Sequence, residues 1–133
     1  LLAAGVLFLA SCSALYGPHG TYTPAEACRK AADLNGRIVT VHGRIEIVSS
    51  VCTLEGCPPG NPCCNGCFHQ LGFRVDDHRI LSLLGRDAGC SGNSCLDACP
   101  FIDPSATYEV AGRFSWDGGS GCSLEMEQWG RID

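Results

Sequence analysis

The chain has 133 residues, a formal net charge of -5 with His neutral, 11 Cys and 17 Gly. That length suits one domain with a modest core that gains from cross-links. The acidic balance and the single Lys, Lys30, argue against nonspecific binding along a phosphate backbone, and no tandem repeat appears.

Leu1 to Ala10 is apolar and uncharged, and it ends in small residues just before Cys12. This is the pattern of a signal-peptide h-region followed by a processing site. At ~1.5 Å per residue it makes about 15 Å of helix, half of the ~30 Å hydrocarbon core, which is too short to span a membrane. Leu9-Ala10-Ser11-Cys12 resembles the lipobox of bacterial lipoprotein precursors. The resemblance implies that residues 1–11 are a lipoprotein signal peptide and that the Cys12 thiol carries a diacylglycerol through a thioether. The peptide is cut before Cys12, and its new amino group is acylated. No initiator Met or basic n-region precedes the apolar run, so the signal is expected to be N-terminally incomplete. An ordinary secretory signal, with Cys12 merely close to its cleavage point, is the alternative. Two or three acyl chains, at about 0.8 kcal/mol per buried methylene, would anchor stably. Ser13 stands where an Asp would retain such a protein at the inner membrane, so the resemblance implies the outer membrane of a bacterial envelope.

Residues 12–22 read as a lipidated, extended tether, in which His19 is solvated. Thr23-Pro24-Ala25-Glu26 is a capping box with Pro at the first helical position, and Asn35-Gly36 is a stop. One short helix is therefore expected, with Ala25, Cys28, Ala31 or Ala32, and Leu34 on one face. Arg37 to Val48 alternates, with Val39, Val41, Gly43, Ile45 and Ile47 on one side and Thr40, His42, Arg44 and Glu46 on the other. This predicts a half-buried strand with a bend or bulge at Gly43, and a hydrogen-bonded or solvated His42.

Ser49 to Cys67 is rich in Pro, Gly and Cys, and must be held by its cysteines rather than by backbone ladders. Phe68 to Val75, Asp76-Asp77-His78 and Arg79 to Leu84 read as strand, turn and strand. Gly85 to Asp103 is a second cysteine-rich connection. Thr107 to Trp116 and Cys122 to Ile132 are two further strands around the turn Asp117 to Gly121, and the alternation leaves open which face of the last strand is buried.

Two of these stretches resemble a family. Asp33 to Ile45, built on N-G-(R/K)-x-V-x-V-x-G, is similar to the opening of an OB-fold domain, and Tyr108-Glu109-Val110-Ala111-Gly112 is similar to the Y-x-V-x-G of its fourth strand. The resemblance is nearest to bacterial envelope and tRNA-anticodon-like OB domains. It implies a mainly β domain over 23–133: a five-stranded OB-like barrel with one short N-terminal helix and two disulfide-rich loops. The second loop takes the place of the usual helix. OB ligands lie on the face of strands two and three, between the loops joining strands one to two and four to five. That makes Phe68, Arg74, Phe114 and Trp116 the ligand-binding candidates. The competing reading has Phe114 capping the core and Trp116 covering the barrel mouth.

The ten cysteines after Cys12 are Cys28, Cys52, Cys57, Cys63, Cys64, Cys67, Cys90, Cys95, Cys99 and Cys122. In a small exported domain an even set reads as up to five disulfides, whose pairing the sequence leaves open. Other chemistries use the same residues. Cys57, Cys63, Cys64, Cys67 and His69 have spacing suited to zinc, and Cys64-Asn65-Gly66-Cys67 is a possible redox pair. Cys90, Cys95 and Cys99 miss a plant-type iron–sulfur spacing by one residue, and Phe68 stands where c-type haem attachment needs His. Asp76-Asp77-His78 belongs to a turn, and no hydrolase or nucleotide-loop motif is present.

The expectation is a non-enzymatic binding or structural module without a cofactor, held to the membrane through Cys12. Its partner would be an envelope protein, peptide or glycan, with nucleic acid disfavoured. A zinc or redox protein using Cys57 to His69 is the alternative.

Overall fold

The computed structural model describes residues 20–96 and 98–133. The expected signal peptide, the expected lipidation at Cys12 and most of the expected tether lie outside the described residues. The described part is mainly β, with a mixed open sheet and disulfide-rich loops.

The chain enters through β1 (Thr21–Tyr22) and α1 (Pro24–Arg29). The expected capping box is formed: Thr23 Oγ1 accepts from the Glu26 N–H at 3.2 Å, and the Glu26 carboxylate accepts from the Thr23 N–H at 3.0 Å. Lys30 then interrupts the helix, and a second short turn, α2, covers Ala31–Leu34. Ala31 and Leu34 are buried and Cys28 packs against the core as expected, but Ala25 is exposed and Ala27 takes its place on the buried face. In a segment this rich in Ala, spacing alone allows either phase. Gly36, at φ +79°, ends the helical region in a conformation that L side chains avoid.

β2 (Ile38–Gly43) and β3 (Ile45–Cys52) follow, with Val39, Val41 and Ile45 buried as the alternation requires. They are followed by β4 (Gly66–Arg74), β5 (Ile80–Leu84), β6 (Gly89–Asn93), β7 (Tyr108–Trp116) and β8 (Cys122–Arg131). Eight strands thus replace the five expected. Arg37 to Val48 is two strands, the second cysteine-rich connection contains β6, and the tether ends in β1. The hydrogen-bonded order is β1-β2-β7-β8-β5-β4-β3, parallel at β1/β2 and β5/β8 and antiparallel elsewhere. β5 pairs the Gly72–Arg74 end of β4, and β6 pairs its Gly66–Gln70 end. The Gln70 side-chain amide fills the break between them by donating to the carbonyls of Leu83 and Ala88.

Ile45, Leu71, Phe73, Leu81, Leu83, Val110, Phe114 and Leu124 form the centre of the core. The open question at the last strand is answered by a bulge. Gly112 pairs with Met126 but Ala111 with Gln128, so Glu127 is the extra residue and the inward set changes from Leu124 and Met126 to Trp129. Trp129 then stacks at a tilt on Tyr108 and Phe101.

Candidate functional site

All ten described cysteines are bridged: Cys28–Cys122, Cys52–Cys67, Cys57–Cys64, Cys63–Cys95 and Cys90–Cys99. Cys52 and Cys67 are direct cross-strand neighbours at the mouth of the first cysteine-rich loop. Cys63–Cys95 ties that loop to the second, where the Ser94 N–H also donates to Asn65 O at 3.0 Å. Cysteines do not hold the first loop alone. Asn65 Oδ1 accepts from the Glu55 N–H at 2.7 Å and from Thr53 Oγ1 at 3.0 Å, and its Nδ2 donates to Glu55 O at 3.1 Å.

The five residues read as possible zinc ligands are therefore divided. Cys57 and Cys64 join each other, Cys63 leaves for Cys95, Cys67 joins Cys52, and His69 lies inside on β4. Among the described residues, no three His, Cys, Asp or Glu side chains gather as a metal site. His42 points across to β7, where its Nε2 is 3.1 Å from Glu109 Oε2. Asp76 closes the turn after β4: its Oδ1 accepts from the His78 and Arg79 N–H groups at 2.8 Å, and these bonds with the Arg79 guanidinium hold its carboxyl below the usual range.

The four ligand-binding candidates do not converge. Phe68 is half exposed at the Cys67 end of β4, opposite exposed Val51 on β3 and Ser91 on β6. Gly89 lets the ring lie this close to β6, since a Cβ there would come within 2.5 Å of Phe68 Cζ. With Val51, Thr53, Ser91 and Gly92, Phe68 lines a shallow groove of about 430 Å³. Arg74 shares its face of β4 but lies at the other end of the strand, where its Nη2 is 2.6 Å from Glu46 Oε1. Phe114 is fully buried, so it belongs to the core and has no surface for a ligand. Trp116 covers the turn after β7, with its Nε1–H donating to Gly119 O at 2.8 Å and its backbone N–H to Asn35 Oδ1 at 2.9 Å. It borders a separate hollow with Leu84, Asp117 and Ser123.

Sequence reasoning missed Ser50. It lies opposite His69 on β3, with Oγ 2.7 Å from His69 Nδ1, and nothing in Ser49-Ser50 marks one serine over the other. No protein-family model, curated protein or solved structure matches the chain. Among the described residues, no helix is long and apolar enough to cross a membrane.

Proposed function

We propose that this chain is a lipid-anchored bacterial envelope protein whose disulfide-stapled domain binds an envelope protein, peptide or glycan. The observation that carries the reading is the complete pairing of ten cysteines in one small domain, which suits an oxidising compartment outside the cytoplasm. Leu9-Ala10-Ser11-Cys12 adds the anchor and Ser13 the outer membrane.

In the same proposal the domain is OB-like, and the chain connectivity supports that reading. Arg44 alone separates β2 from β3, which pair with β7 and β4 at opposite ends of the strand order. In that reading the parallel β5/β8 contact corresponds to the strand-three to strand-five contact of an OB fold, although the sheet itself is open. The groove beside Phe68 and Val51 is the binding surface we assign, because it exposes an aromatic and a β-branched side chain on one face.

The test is an intact-mass measurement on protein extracted from membranes and denatured without reductant in a thiol-alkylating reagent. The expected result is a thioether-linked diacylglycerol and an N-acyl group on Cys12, with the other ten cysteines unlabelled. A lipid-free Cys12 would overturn the anchored reading. Labelling of Cys57, Cys63, Cys64 and Cys67, together with unfolding of the native domain by a chelator, would replace it with the zinc protein.

A further inference from the structure

β6 pairs with β4 along one edge, and among the described residues no strand pairs with its other edge. The phase of the ladder decides which backbone groups that free edge presents. Just beyond the two ends of β6, the Leu71 N–H donates to Ala88 O at 2.8 Å and the Ser94 N–H to Asn65 O at 3.0 Å. Hydrogen-bonded pairs recur at every second residue of an antiparallel ladder, so the bonded pairs between them are His69↔Cys90 and Cys67↔Gly92. Cys90 and Gly92 therefore turn their N–H and C=O groups toward β4, and Gly89, Ser91 and Asn93 turn theirs away. The Asn93 carbonyl accepts from the Leu96 N–H at 3.2 Å. Among the described residues, the N–H and C=O of Gly89 and Ser91 and the N–H of Asn93 have no such partner.

An apolar surface runs up to this edge. The β3/β4 pairing steps from Ile47↔Leu71 to Ser49↔Gln70, and this bulge at Val48 brings Val51 to the same face as Phe68, its cross-strand neighbour. Ser91 is the neighbour of Phe68 on the other side, and the ring tip lies over Gly89, where a side chain would collide with it. A residue set opposite Gly89 on an added strand would meet the half-exposed ring with no β6 side chain between them.

The edge is also uncharged and firmly held. Gly89-Cys90-Ser91-Gly92-Asn93 contains none of the Lys or Pro residues that blunt many sheet edges. Cys90–Cys99 ties down its second residue and Cys63–Cys95 the chain just beyond it, so little ordering is left to oppose binding.

We propose that the free edge of β6 captures an extended peptide segment of an envelope protein as an added β-strand, with an apolar side chain opposite Gly89 against Phe68. The inference rests on the groove beside Phe68 and Val51 being the binding surface, and it narrows the occupant to a peptide. A glycan has no row of N–H and C=O groups at strand spacing to match those of Gly89 and Ser91. A second copy of this chain fits less well: two-fold pairing about Ser91 sets Asn93 opposite Gly89, a polar amide whose Oδ1 accepts from the Cys95 N–H, where the ring calls for an apolar group. The net charge of -5 favours a neutral or basic segment.

The experiment uses the oxidised full chain and short fluorescent peptides in which Val, Leu or Phe alternates with Thr between terminal Lys residues. Saturable binding of at least one of them is expected by fluorescence anisotropy, with slowed amide hydrogen exchange at Gly89 and Ser91. Methylation of alternate peptide nitrogens removes the donors to the edge and weakens binding about 10-fold. Ser91→Pro removes an outward N–H without touching the bonds to β4, and has an effect of about the same size. Phe68→Ala weakens binding about 5-fold. Circular dichroism and the count of five bridges by mass report whether Ser91→Pro folds, and the methylated peptides, which need no variant, decide the matter if it does not. Strand addition is overturned if none of the peptides binds, if protection appears away from β6, or if neither methylation nor Ser91→Pro weakens binding. Self-association of the chain that Ser91→Pro abolishes overturns it too, in favour of a second copy. A loss with Phe68→Ala alone keeps the groove as the binding surface and removes only the strand. None of these results bears on the lipid at Cys12.

Discussion

Cys28 on α1 and Cys122 at the start of β8 are joined across a sequence separation of 94, with their Cα atoms 5.9 Å apart. The bridge fastens the helical entry of the domain to the last strand. In the chain-entropy account, a loop of that size restricts the unfolded state by about 4–5 kcal/mol, whereas the Cys57–Cys64 loop restricts it by only about 2 kcal/mol. Urea unfolding of the paired Cys→Ala variants checks this: removal of Cys28–Cys122 should cost about twice as much. Equal losses would mean that strain or residual structure, not loop closure, sets the stabilisation.

Gly112 on β7 has no room for a side chain. A Cβ there would lie 1.9 Å from the carbonyl oxygen of Glu125, a backbone atom in the paired strand. Gly112→Ala should destabilise the domain by about 3 kcal/mol, because the β7/β8 ladder must open at its bulge. Gly121→Ala meets a side chain rather than backbone, the Asp117 carboxylate, and should cost less, the loss being that carboxylate's bonds from the Gly119 and Gly121 N–H groups. Thermal unfolding of the two variants side by side makes the comparison.

Acid should loosen the end of the sheet near the C-terminus. The Ser105 hydroxyl and N–H, then Arg131, hold Asp103 below the usual carboxylate range, and the Thr107 N–H does the same for Asp133. A carboxyl depressed in the folded state contributes its full share above its unfolded value, near pH 4, and loses it as pH falls through the lower folded value. The unfolding midpoint should therefore drop below about pH 4, and part of that drop should vanish in the double variant Asp103→Asn, Asp133→Asn. An unchanged pH profile in that variant would place the acid sensitivity elsewhere.

Phe68 and Phe114 should separate binding from stability. Phe114→Ala empties a fully buried position and should cost about 3–5 kcal/mol. Phe68→Ala removes a half-exposed ring and should cost about 1 kcal/mol while weakening capture of an envelope partner. Crosslinking in intact cells, followed by a stability measurement on each purified variant, checks both.

Much of the fold was legible because local rules and burial agreed. Alternation at Val39, Val41 and Ile45 marked the buried face of the β2/β3 stretch, and Thr23 with Glu26 marked the helix start. β6 was hidden because Gly89-Cys90-Ser91-Gly92-Asn93 has no strand-like alternation. It is a strand through pairing with β4 and through its Cys90–Cys99 tether.

The site was far less legible. His69 stood out beside cysteines in sequence, yet its contacts are Ser50, 19 residues before it, and the Leu96 carbonyl, 27 residues after it. Phe114 and Trp116 looked alike on paper, and only packing separated a core residue from a turn cover.

By itself the sequence determined the cysteine number and the positions of most strands, since each depends on neighbours in the chain or on simple counting. Tertiary structure decided which cysteines pair, where the two bulges fall and which face Ser50 joins. One extra residue in a strand reverses every side chain after it, and which residue is extra is set by the pairing of distant strands.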